Sequence, residues 1–111
     1  MAAITVEKLK LNTISANDVE LVSVYFKQHL DNDELLTGTP TVSQPTNSTV
    51  ANVGLNTTAF IDLFGETHPI NTVVQCSFTS ATAATYSLTV VAATDATIAR
   101  TFNRLVEIIV Q

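Results

Sequence analysis

The chain has 111 residues, 46% of them hydrophobic and only 14% charged, which makes a single domain large enough to bury a core without metal or disulfide support. Its 18 Thr, 13 Val and 7 Ile favour sheet over helix, because β-branched side chains are stiff in a helix and pack well on a pleated, half-buried surface. Ten acids oppose five bases for a net charge of −5, and no Lys or Arg lies between Lys27 and Arg100, which excludes nucleic acid and anionic membranes as partners, since both need clustered cations.

Residues 1–14 alternate weakly through Ile4, Val6, Leu9 and Leu11 and read as an arm or a first strand. Met1-Ala2-Ala3-Ile4-Thr5 has neither the basic start nor the apolar stretch of a secretory signal. The next segment, Ser15 to Leu30, has helix-like capping at Ser15 and Asp18. However, Val22, Val24 and Phe26 share one strand face, so the pattern predicts a strand through Phe26 followed by a short helical turn over Lys27 to Leu30. Asp31-Asn32-Asp33-Glu34 breaks the chain and reads as a solvated acidic turn; it lacks the alternate acids, central Gly and distant Glu of a calcium loop.

From Gly38 to Gly54 the chain is rich in Thr, Ser, Asn and Pro, and Pro40 and Pro45 withhold ladder donors, so strands here are expected to be short or at an edge. Ala59-Phe60-Ile61-Asp62-Leu63-Phe64 reads as a hydrophobic segment ended by Gly65, with another turn at His68-Pro69. The clearest alternation follows. Val74, Cys76 and Phe78 share a face, then Tyr86, Leu88, Val90 and Ala92, then Phe102, Val106, Ile108 and Val110. Short turns separate these runs, and together they predict an antiparallel meander. The whole reads as an all-β, immunoglobulin-like antiparallel β-sandwich of about seven strands over residues 15–111.

Motifs for chemistry are missing. Cys76 is the only cysteine and stands in an alternating strand, as a small buried hydrophobe does. His29 and His68 lie far apart, without the spacing of zinc ligands. No Ser lies in a nucleophile elbow, three Gly do not build a phosphate loop, and Asp62 and Glu66 have no pattern that would raise a carboxyl pKa. The expectation is a protein that is not an enzyme, with no catalytic, metal or cofactor site.

The order of features resembles the small immunoglobulin-like virion proteins of tailed bacteriophages known as fiber-tail adaptor proteins. The resemblance rests on Asp18-Val19 through Phe26, Leu30 and the acidic turn Asp31 to Leu36. It continues with the strand Val73 to Phe78, the Tyr-centred Thr85-Tyr86-Ser87-Leu88-Thr89-Val90, the polar hairpin at Thr94-Asp95, and Arg100-Thr101-Phe102 to Val110. It covers roughly residues 18 to 110, and Ser80-Ala81-Thr82-Ala83-Ala84 stands where such proteins have a Gly-rich turn. The resemblance implies a structural protein of the virion, made in the bacterial host cytoplasm and joining fibers or tail components at the tail or neck. It also implies other virion proteins as partners and a homo-oligomer in the particle. A capsid decoration or cement protein shares the same features, and an adhesive or carbohydrate-binding module is a third reading. The last strand is apolar on both faces except at Glu107. Leu105 and Ile109, or Ile4 and Val6 of the arm, are therefore expected to meet a partner, the other expectation being that Leu105 and Ile109 pack under a loop of the same domain.

Overall fold

The computed structural model describes residues 12–111, in which nine strands and one short 3-10 turn form two packed sheets and a small hairpin. One sheet contains, in spatial order, β1 (Asn12–Ile14), β9 (Thr101–Val110), β8 (Ala84–Thr94) and β3 (Leu36–Val42). The other contains β2 (Val19–Tyr25), β7 (Val73–Thr79) and β4 (Thr49–Leu55). The hairpin consists of β5 (Phe60–Ile61) and β6 (Thr67–His68). Ile4 and Val6 lie outside the described residues.

Period-two alternation fixes which side chains enter the core. Val22 and Val24 of β2 pair with Cys76 and Val74 of β7. Tyr86, Leu88 and Val90 of β8 pair with Ile108, Val106 and Arg104 of β9. All of these except Arg104 are buried between the sheets together with Ile14, Phe26, Leu36, Phe78 and Val110. Each fully buried Leu or Phe contributes about 2 kcal/mol of apolar transfer free energy. Arg104 points inward at the end of the sandwich, where its guanidinium lies 5.3 Å from the Phe102 ring centre and 6.0 Å from that of Phe26. Burial raises the Cys76 thiol to about 11, so it remains protonated at neutral pH.

The connectivity has the strand arrangement of an immunoglobulin sandwich. A tyrosine corner supports this: Tyr86, near the start of β8, donates its hydroxyl to the Thr82 carbonyl four residues upstream at 2.7 Å. Three features depart from the sequence expectation. The first strand pairs parallel to the last, Asn12 opposite Ile108 and Ile14 opposite Val110, so the sandwich is not wholly antiparallel. The strands β7, β8 and β9 do not form one meander; only β8 and β9 pair, and the turn after Thr79 carries the chain from one sheet to the other. Alternation reports which face is buried, not which strand is the neighbour. And the acidic turn is only partly solvated: Glu34 is buried against Arg100, whereas Asp31 and Asp33 are exposed.

Both strands of the Pro-containing stretch are edges: β3, which contains Pro40, ends the four-stranded sheet with a bulge between Thr37 and Thr41, and β4, which follows Pro45, ends the three-stranded sheet with another between Ala51 and Gly54. Few glycines are needed because, besides Gly38 and Gly65, the left-handed corners among the described residues fall on Asn17, Asp33, Asn47, Asn52 and Asn71, the residue types that tolerate this backbone best after Gly.

Candidate functional site: an apolar hairpin held over the three-stranded sheet

Residues 56–72, which connect β4 to β7, fold back over the outer face of the three-stranded sheet. Their cover explains why Ser23 and Val73, which point away from the core, are buried. Asn56 anchors the base of this excursion. Its side-chain carbonyl accepts from the Thr72 and Val73 amides at 3.1 and 3.0 Å, and its amide donates to the Thr58 and Pro69 carbonyls at 3.0 and 2.8 Å. Two donors and two acceptor positions are the full capacity of an Asn side chain, and all are used in a buried setting. Thr72 adds a hydroxyl bond to the Pro69 carbonyl at 2.7 Å.

The hairpin packs on β2 through rings. His68 stacks on Tyr25 with centroids 4.2 Å apart, and Phe60 completes the cluster at 5.3 Å from His68 and 5.9 Å from Tyr25. His68 donates from Nε2 to Asp62 Oδ2 at 2.9 Å, since an ionised carboxylate only accepts. Its Nδ1 is buried without a hydrogen-bond partner.

Asp62 then shapes the tip. Its Oδ1 accepts from the Phe64 amide at 2.8 Å and the Glu66 amide at 3.0 Å, while the backbone closes with Gly65 N to Asp62 O at 3.1 Å. The His68 hydrogen bond is the main influence holding the Asp62 carboxyl below its ordinary value; burial opposes it, and the Glu66 and Phe64 amides reinforce it. Gly65 has φ +83°, a backbone that a side chain would strain. Outside the turn, Lys27 Nζ reaches the Thr67 carbonyl at 2.9 Å and Glu66 at 3.4 Å.

This rigid turn holds Leu63 and Phe64 in water. They are 86% and 90% exposed, and Ile61 beside them is also exposed. The segment Ala59 to Phe64, read from sequence as one hydrophobic element, is thus divided: Phe60 faces the protein and Leu63 and Phe64 face away from it. The signal was present, since Asp at the first and Gly at the fourth position of a four-residue stretch is a β-turn signature. It places Leu63 and Phe64 at the two central, protruding positions. Two hollows of about 340 and 330 Å³ flank the tip. Leu21, Tyr25, Phe60, Ile61 and Leu63 form the apolar part of the first, and Phe64 borders the second with Tyr25, Gln28 and His68.

The other expected contact residues lie elsewhere. Leu105 and Ile109 are on the outer face of the four-stranded sheet, opposite Thr89 and Thr85. Leu105 is 60% exposed and Ile109 half-buried. They lie on one face of β9, about 13 Å apart with Glu107 between them, and not beside the hairpin tip. Among the described residues, no group of three or more His, Cys, Asp or Glu side chains converges to hold a metal, and no helix is long and apolar enough to cross a membrane.

Fold and surface together define an immunoglobulin-type sandwich that presents an ordered apolar hairpin. Comparison with known families, curated proteins and solved structures finds no match to this chain.

Proposed function

We propose that this protein is a non-enzymatic structural subunit of a tailed-phage virion, joining fiber or tail components at the tail or neck through protein–protein contacts. The observation that carries the reading is the hairpin tip. A soluble chain rarely holds two large apolar side chains in water on a loop that its own hydrogen bonds make rigid, unless those side chains are used for contact. Rigidity matters because a preordered loop loses little conformational freedom on docking. The polar, charge-poor body and the resemblance of residues 18–110 to fiber-tail adaptor proteins support the same reading. The site has the chemistry of adhesion between proteins: the Asp62–His68 pair is spent on shaping the turn, and the remaining imidazole nitrogen is enclosed between rings.

Cross-linking mass spectrometry with copy-number measurement on purified particles tests this. Links from the hairpin to tail, neck or portal proteins at on the order of a dozen copies, as a closed ring gives, support the adaptor. Links to the major shell protein at on the order of hundreds of copies make it a capsid decoration protein. Absence from the particle ends the virion reading and favours the adhesive one.

A further inference from the structure

We draw no further inference here: the strongest candidate, the outer face of the four-stranded sheet around the exposed Leu105 and the half-buried Ile109, is an apolar patch among Thr and Ser hydroxyls, and nothing among the described residues shows what covers it.

Discussion

The two sheets solve the same problem in different ways. Each has one face in the core and one that must be made compatible with water. The four-stranded sheet uses its own side chains: Thr85, Ser87 and Thr89 on β8 lie opposite Ile109, Glu107 and Leu105 on β9, with Thr13, Thr37 and Thr41 on the flanking strands. Threonine keeps the β-branched shape that strands favour while presenting a hydroxyl to water. The three-stranded sheet instead hides its outer face under residues 56–72, so that Val73 can be apolar there. Its cover has a consequence, because the apolar exposure moves from a broad sheet face to the narrow tip at Leu63 and Phe64. A flat apolar face invites unspecific pairing, whereas a tip fits only a matching socket.

The largest effect should come from separating the cover from its sheet. Asn56→Ala removes four hydrogen bonds and leaves the Thr72 and Val73 amides without that acceptor in a buried setting. A loss of about 2–4 kcal/mol in urea unfolding is expected, together with faster amide exchange at residues 72 and 73. A loss under about 0.5 kcal/mol would mean that the ring contacts and the remaining backbone, Thr72 and Lys27 hydrogen bonds hold the hairpin without the Asn56 side chain.

Acid should distinguish the two regions further. The end of the four-stranded sheet is fastened by a charged latch, in which Arg100 binds both oxygens of Glu34 and also donates to the His29 carbonyl at 2.8 Å. Hydrogen bonding from Arg100, helped by Thr94 and the Asp31 amide, holds the Glu34 carboxyl at about 2, down from 4.5. Its folded value lies below its unfolded one, so the latch contributes fully above about pH 4.5 and its contribution disappears as pH falls toward 2. The Asn56 staple carries no proton that titrates in this range. Exchange measured from pH 5 to about pH 2.5 should therefore show β3 and β9 loosening near the latch before the base of the hairpin does. Glu34→Gln should flatten much of this pH dependence.

A neutral anchor gives a smaller effect. Tyr86→Phe keeps the ring in the core and removes only the hydroxyl bonded to Thr82 and 2.8 Å from Ser80 Oγ. About 1–1.5 kcal/mol of stability should be lost, with no change in the tip.

How far these regions could be read from sequence follows from the same contrast. The strands that face water through their own residues announce themselves: Tyr86, Leu88 and Val90 against Thr85, Ser87 and Thr89 is a pattern only a half-buried strand produces. The edge position of β3 was legible too, because Pro40 within it cannot donate to a ladder. The cover was not. It depends on Asn56 reaching across to residues 69–73, and no local pattern encodes a bond over that separation. Hydrophobicity misled in the same place, since Phe60 and Phe64 are alike in composition and opposite in burial. Only the turn geometry set by Asp62 and Gly65 tells them apart. The Glu34 latch was hidden for a related reason: an acid in an acidic turn reads as solvated until Arg100, distant in sequence, is brought beside it.

The smallest expected effect bears most directly on which face makes contact. Leu105→Ser exchanges an exposed apolar side chain for a polar one on a face already populated with hydroxyls opposite Thr89. Stability should change by no more than about 0.5 kcal/mol, as for other surface positions without a special role. If the four-stranded face serves only water, partner binding in the particle should be equally unmoved, while Phe64→Ser on the other face weakens it. The opposite outcome, with Leu105→Ser reducing incorporation and Phe64→Ser neutral, would transfer the contact to Leu105 and Ile109. The Leu63–Phe64 tip and Leu105 lie on the outer sides of different sheets, so single substitutions report on each face separately, and the pair of variants decides between these two.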